Sequence, residues 1–384
     1  MIKEVYIKSY TSDGTYKGTF SDFQWAGFSK SINSGVGQVQ ITVPRKFDDY
    51  NSDGAIAPNN KIEIYVADGD APSGTLIYSG YIAEINTAAA AEEGVRLKVF
   101  GYFSKLALDI VKDGTQIGVK YRQASYADIS DIFEDLIDKY KTANASTPID
   151  YTGSSISSGG KQVSIDFSTS TYTDAFSELR RLADSDYYYY LDATNTFNFS
   201  QFSSTADHLF VFERDISSIK ISQSLVDMRN GIIFWNGLQE EDPDFIAKYQ
   251  ENATSISSYG RQIEIRRDGR FKDEASVDEW NTRYLNANSE PITQVQLRLI
   301  DNNLSDSRVD LEALQPGQTC KILNISENDA LSDNMLITGI NYQIDYADIV
   351  IQDTRQFVDR NLFQLKKFIN ERTYSDSGPV NYTT

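Results

Sequence analysis

Two residue types that carry much of nucleophilic and metal chemistry occur once each in this chain: His208, in TADHLFVF, and Cys320, in LQPGQTCKILN. An imidazole between a serine and a carboxylate would make a hydrolytic triad, but the sequence has no G-x-S-x-G turn to present the serine. A lone thiol has no partner for an intrachain disulfide and no second thiol for a zinc cluster. Cys320 falls in a run that alternates apolar and polar side chains, and His208 stands at the entry to the apolar run LFVF. His208 therefore reads as a residue at the start of a strand, and Cys320 as a buried strand residue. Paired carboxylates can cleave a glycan, yet 55 acidic residues guarantee chance pairs. DSD at 184–186 and EEDPD at 240–244 read as solvated turns, and no segment has the acidic spacing of an EF-hand loop. Four tyrosines at 187–190 would stack on a sugar if they shared a face, but in a strand they alternate sides. The basic stretch RQIEIRRDGR is mixed with acids and reads as a solvated strand face or subunit contact. No catalytic, cofactor-binding or metal-ligating residue is assigned, and the expectation is that the chain is not an enzyme.

The charge balance, 36 basic against 55 acidic residues for a net −19, argues against gripping nucleic acid, which needs Lys and Arg counter-charge. No run reaches the length of a membrane span. The N-terminal MIKEVYIKSY alternates like a strand and lacks the apolar block of a signal peptide, so folding in a cytoplasm is expected. A length of 384 residues suggests two to four domains, and 12% aromatic content suits packed, sheet-rich cores.

These residues need elements to position them. Up to about residue 112 the chain reads as antiparallel strands, with QVQITVP, KIEIYV, LIYSGYIAEIN and GVRLKVFG among them. Then Ile129, Ile132, Phe133, Leu136, Ile137 and Tyr140 fall at helical spacing, with Ser125 and Asp128 as the expected cap. A second helix carries Tyr172, Ala175, Phe176, Leu179 and Leu182, capped by Thr171 with Asp174. YYYYL and FNFSQ read as a hairpin around Asp192–Asn195. Strands return at HLFVFERDISSIKISQS, NGIIFWNG and ITQVQLRLI. Before the last of these, a helix presents Val277, Trp280 and Tyr284. The amphipathic NLFQLKKFINER and a polar tail expected to be disordered close the chain.

One feature repeats. IAPNNKIEIYV at 56–66 echoes LQPGQTCKILN at 314–324: Pro58 matches Pro316, Ile62 matches Cys320 and Ile64 matches Ile322, at an offset of 258. Downstream, Gly80 matches Gly339, Ile85 matches Ile344 and Asn86 matches Asp345, at an offset of 259. An internal duplication of a β-barrel would produce this pattern.

The order of these pieces resembles the tailed-phage baseplate hub, or central tail hub, proteins. That family includes the N-terminal part of tail-associated lysins and the hub half of contractile-system spike proteins. FSKSINSGVGQVQITVP with PNNKIEIY resembles the opening of a first barrel, and SGYIAEIN with VRLKVFGYFSKL its close. DMRNGIIFWNG, SSYGRQIEIRRD with EASVDEWNTRYL, and LQPGQTCKI are similar to later parts of the family's pattern. The resemblance implies an α+β, mainly β fold with two similar antiparallel β-barrels and inserted α/β domains. The expected parts are a first hub barrel at 1–112, an inserted α/β domain at 113–206, and a second barrel from 207–240 and 291–352. A small inserted α+β domain at 241–290 and a C-terminal helix and flexible tail at 353–384 complete the set. It further implies a virion structural protein of the tail tip or baseplate, assembled in the host cytoplasm. Such a homotrimer forms a pseudo-hexameric ring between a six-fold tail tube or distal tail ring and a three-fold tip fibre or spike. Its channel passes tape-measure protein and then DNA during genome ejection, and an acidic lumen would let DNA slide without specific binding. The alternative is a receptor- or carbohydrate-binding tail module.

Overall fold

The computed structural model describes residues 3–353 apart from 45–53, 69–73, 89–93, 112–120, 123–126, 160–161, 164, 168–169, 184–185, 227, 237–240, 244, 268–273, 301–308 and 325–333. The chain divides into two compact units, the first from 1–219 and 296–351, the second from 220–295 with the residues after Ile351. Each is taken by itself below. The fold is mainly β.

The first unit opens with strands β1 (Lys3–Tyr10), β2 (Tyr16–Phe20), β3 (Gln24–Trp25), β4 (Phe28–Ser31) and β5 (Gln38–Val43). Then follow β6 (Lys61–Asp68), β7 (Thr75–Ala88), β8 (Gly94–Gly101) and a short helix α1 (Phe103–Leu106). Seven of these strands form one sheet in the order β2-β1-β6-β7-β8-β5-β3, antiparallel throughout. Alternation explains it: Val39, Ile41 and Val43 of β5 and Ile62, Ile64 and Val66 of β6 all point into the core.

Short strands β9 (Tyr121–Arg122) and β10 (Ala127–Asp128) lead to helix α2 (Ile129–Ala143). Strands β11 (Gln162–Val163) and β12 (Asp166–Phe167) precede helix α3 (Tyr172–Leu182), and β13 (Tyr187–Leu191) pairs with β14 (Phe197–Gln201) as the expected hairpin. The anticipated apolar stripes of both helices are buried apart from half-buried Leu182, and Phe133 sits among Phe176, Phe197 and Phe199 at ring separations of 5.4, 5.4 and 4.6 Å. Thr171 and Asp174 form the expected capping box. At α2 the cap differs from expectation. Asp128 is itself the N-cap, its carboxylate accepting from the Ser130 amide, and Ser125 lies outside the described residues. Bridging of Ala127–Asp128 to β11 holds the chain extended to Asp128, so the helix begins one residue later.

The second sheet is built from β15 (His208–Val211), β16 (Ile216–Ser224) and, after the second unit's elements, β20 (Ile292–Ile300), β21 (Thr319–Leu323), β22 (Met335–Tyr342) and β23 (Tyr346–Asp353). Its order is β15-β21-β22-β23-β20-β16. The runs β6-β7-β8-β5 and β21-β22-β23-β20 thus have one topology: three consecutive strands with the preceding one laid beside the last, as in a Greek key. The two echoing stretches occupy the same place in each. The second sheet departs from the all-antiparallel expectation, because β15 runs parallel to β21. No hairpin turn joins these two strands, so nothing local fixes their relative direction.

The hairpins also differ in register. Ile62 pairs with Gly80, whereas Cys320 pairs with Met335, four residues short of Gly339. An even slip keeps each side chain on its face, but it leaves the rest of the β22 edge open. That edge is filled by β4, with Gly339 opposite Ser31 and Tyr342 opposite Phe28. β4 therefore leaves the first sheet, to which its neighbours β3 and β5 belong, and pairs in the second.

The second unit contributes β17 (Gly231–Trp235), β18 (Ala247–Glu251), helix α4 (Ala253–Tyr259), β19 (Ile263–Arg267) and helix α5 (Glu274–Asn288). Its three strands lie in the order β18-β17-β19, with β17 and β19 parallel. Ile232 and Phe234 pack with Val277, Trp280 and Leu285; of the stripe anticipated for α5, Val277 and Trp280 are in this cluster and Tyr284 is half-buried against it. Buried Asn230 donates to the Ser255 hydroxyl at 3.2 Å and the Gly260 carbonyl at 2.6 Å, and accepts from the Gln262 amide at 2.7 Å. One side chain thereby ties the start of β17 to both ends of α4's turn region. Gly260, at φ +78°, turns the chain from α4 toward β19.

Where β4 crosses between sheets, Gly27 has φ +76° and a Cβ built there would lie 2.3 Å from the Tyr342 carbonyl oxygen. Gly27→Ala is expected to cost about 2–4 kcal/mol in urea unfolding. Gly14→Ala, at φ +89° with nothing within 4 Å, should cost about 1 kcal/mol.

Candidate functional site

The residues singled out in the sequence do not converge. Cys320 is fully buried, and burial pushes its thiol up. His208 opens β15 opposite Cys320; its Nε2 lies 2.9 Å from Gln318 Oε1 and its ring stacks on Phe210 at 5.8 Å. The tyrosine run alternates as strand geometry requires. Tyr187 and Tyr189 turn toward the helices, where Tyr189 is buried near Phe133 and Phe176, while Tyr188 stacks with Tyr190 at 6.0 Å. Four rings never make one platform. Asp186 accepts from the Gln201 amide, and Glu241–Pro243 form a turn; the other residues of those two acidic stretches include positions outside the described ones. Arg261–Arg267 of the basic stretch lead into and form β19. Among the described residues, no group of His, Cys, Asp and Glu is arranged to hold a metal ion. Among the same residues, no helix is long and apolar enough to cross a membrane.

A different set of charges does converge, around the strand that changes sheets. Phe28 and Lys30 of β4 both face inward, Lys30 with 4% exposure. The Phe28 ring lies 5.1 Å from Tyr78 of the first sheet and 5.3 Å from Tyr342 of the second. The Lys30 amine donates to the Leu314 carbonyl at 3.4 Å, in the turn that precedes β21. In that same turn Glu312 accepts from Lys3 of β1 at 2.6 Å and from the Tyr342 hydroxyl at 2.8 Å. Beside it Asp310 accepts from the Glu312 and Ala313 amides.

The electrostatics follow from burial and proximity. Burial pushes Lys30 down to about 8, partly offset by Asp192, Glu312 and Asp310. Burial also opposes ionisation of Glu312, but hydrogen bonds from Asp310, Lys3 and Tyr342 outweigh it and hold that carboxyl below its usual range. Asp310 is pushed up by burial and by Glu312. The two neighbouring carboxyls are thus displaced in opposite directions, Asp310 up and Glu312 down. An amine beside two carboxyls is a set that acid–base catalysis can use. Here their partners are each other and the backbone, and Lys3 and Glu312 are about nine-tenths buried. The arrangement works as a clamp joining β1, β4, the turn before β21 and β22. Sequence reasoning missed it. The available signal was a lysine at an inward position of FSKS, between Phe28 and Ile32, and the acids of DLE just before the Pro-Gly turn.

No family model matches the sequence, and no curated protein matches it. Solved structures share its fold almost end to end. The 43 kDa tail protein of prophage MuSo2 from Shewanella oneidensis superposes with a TM-score of 0.60 at 12% identity, over 92% of this chain and 99% of that one. The tail protein from Neisseria meningitidis MC58 gives 0.57 at 9% identity, covering 94% and 99%. Prophage tail protein gp18 from Listeria monocytogenes EGD-e gives 0.50 at 9%, covering 95% and 99%. At such identities the likeness is one of fold, and the fold is that of phage tail proteins.

A buried lysine whose amine is pushed down binds fewer protons folded than unfolded between pH 8 and the ordinary lysine range. Stability therefore rises with pH across that window, as the cost of the buried charge is relieved. Lys30→Met removes this dependence. It should be neutral or stabilising by about 1–3 kcal/mol at pH 7, with the wild-type chain regaining up to about 3 kcal/mol relative to it by pH 10.5. Urea midpoints measured from pH 7 to 10.5 check both points.

Proposed function

We propose that this chain is a structural hub of a phage tail tip or baseplate. The observation that carries the reading is fold similarity to prophage tail proteins over nearly the whole of both chains. The repeated four-strand arrangement within one chain supports it further. In this reading the two sheets belong to two similar hub barrels, the first at 1–112 and the second from 207–240 and 291–352. The α/β part at 113–206 and the small part at 241–290 are insertions, and 353–384 forms a C-terminal helix and tail. Three copies then place six similar barrels around one axis. That geometry matches a six-fold tail tube or distal tail ring on one side and a three-fold fibre or spike on the other. The ring's channel passes tape-measure protein and DNA, and a chain of net charge −19 disfavours retention of phosphate. The protein acts as scaffold in the virion and carries no catalytic role.

Light scattering on the purified chain is expected to give three times its 43.2 kDa mass, with rings in negative-stain images. A monomer that binds bacterial glycans in an array would favour the receptor-binding module instead.

A further inference from the structure

Among the described residues, α5 packs on one face of the second unit's sheet. On the opposite face the register sets Ile233 of β17 between Tyr249 of β18 and Ile265 of β19. Trp235 stands between Ala247 and Arg267, and Ile263 is opposite Gly231. Ile265 is 73% exposed and Tyr249 49%, with Ile263, Ile233 and Trp235 between 37% and 39%. Charges stand at the margin: the Arg267 guanidinium lies 4.7 Å from the Trp235 ring, and Arg261 pairs with Glu251 at 3.1 Å. A contiguous apolar face of this kind marks a contact. Five-residue strands at about 3.4 Å per residue and spacings of about 4.8 Å make it roughly 17 Å by 10 Å. That is far below the roughly 800 Å² per partner of a specific protein–protein interface. It is the right size for one short helix.

The chain itself supplies a segment of that length. The described residues end at Gln352 and Asp353, and Gln352 already belongs to this second unit. Beyond them Val358, Leu362, Leu365 and Ile369 recur at i, i+4, i+7 and i+11, one stripe of a helix, with Phe368 at its flank. At 1.5 Å per residue this stripe runs about 17 Å, the length of the sheet face. A segment joined to the same chain meets such a face intramolecularly, without the concentration cost of a separate partner.

We propose that the C-terminal segment Val358–Ile369 docks as an amphipathic helix across the outer face of β18-β17-β19, covering Ile233, Tyr249 and Ile265. The second unit is then a three-layer sandwich of helix, sheet and helix. The docked segment is an autonomous feature of this unit and does not depend on the tail reading.

A disulfide tests it in the full chain. Cys320 is buried, so Ile265→Cys combined with Leu365→Cys introduces the accessible thiols. Mild oxidation is expected to give a bond between positions 265 and 365 within one chain, seen as a faster band on a non-reducing gel and as a linked peptide pair. A bond between chains would put a second copy on this face and overturn the proposal, as would no bond at all. Amide exchange gives a check that needs no cysteine. Peptides covering Ala247–Glu251 and Ile263–Arg267 should exchange at least about fivefold faster in a chain ending at Asp353 than in the full chain, with first-sheet peptides unchanged. Equal rates at the face would overturn the proposal too.

Discussion

Backbone hydrogen bonding at the edge of β22 organises the first unit. With β21 opposite only the first part of that strand, the amides and carbonyls from Gly339 to Tyr342 need another partner, because buried backbone groups left unpaired are costly. β4 meets that need, and to do so it must depart from the sheet that holds the strands before and after it. Gly27 lets it turn there in close contact with the Tyr342 backbone. The Ile32 amide continues the pairing by donating to the Thr338 carbonyl at 3.2 Å. Further along, the Asn33 amide donates to the Tyr189 carbonyl, which ties the same segment to the hairpin of the α/β part. One ten-residue stretch is stitched to three substructures, so the two repeated sheets cannot be separated without opening both.

The charges at this crossing make sense in the same terms. A buried amine with one long hydrogen bond does not stabilise a protein by itself. What it does is discriminate between registers. Slipping β4 by one residue would turn both Phe28 and Lys30 to the opposite face. The aromatic contact with Tyr78 and Tyr342 and the attraction to Glu312, Asp310 and Asp192 would go together. Lys3 and Tyr342, both bound to Glu312, hold the neighbouring turn in the position that this register requires.

For the proposed hub, this matters because a ring made from repeated parts must hold each part at a fixed angle to the next. A strand shared between repeats is a stiffer joint than a linker, since moving one repeat means breaking a ladder of backbone bonds. The slip in the second hairpin also shows how two sheets of one strand order can differ in register without losing their cores. An even shift keeps Cys320 and Ile322 inside, as Ile62 and Ile64 are inside in the first sheet. The Pro-Gly turn before β21 is fixed in turn by Gly317, at φ +91°, where a Cβ would meet the Tyr188 ring at 2.0 Å.

Local order was written plainly in the sequence. The stripes of α2, α3 and α5, the Thr171–Asp174 cap, the Asp192–Asn195 hairpin and the echo of 56–66 in 314–324 all depend on residues close together in the chain. Alternation also told which face of each strand is buried, and so disposed of the tyrosine platform. It did not tell which strand lies beside which. That β4 pairs with a strand some three hundred residues away, that β15 runs parallel to β21, and that Lys30 turns inward toward Glu312 were settled by tertiary structure alone. The reason is that periodicity records only whether a side chain meets core or water. A pairing partner is chosen by which open edge the rest of the fold leaves to be filled.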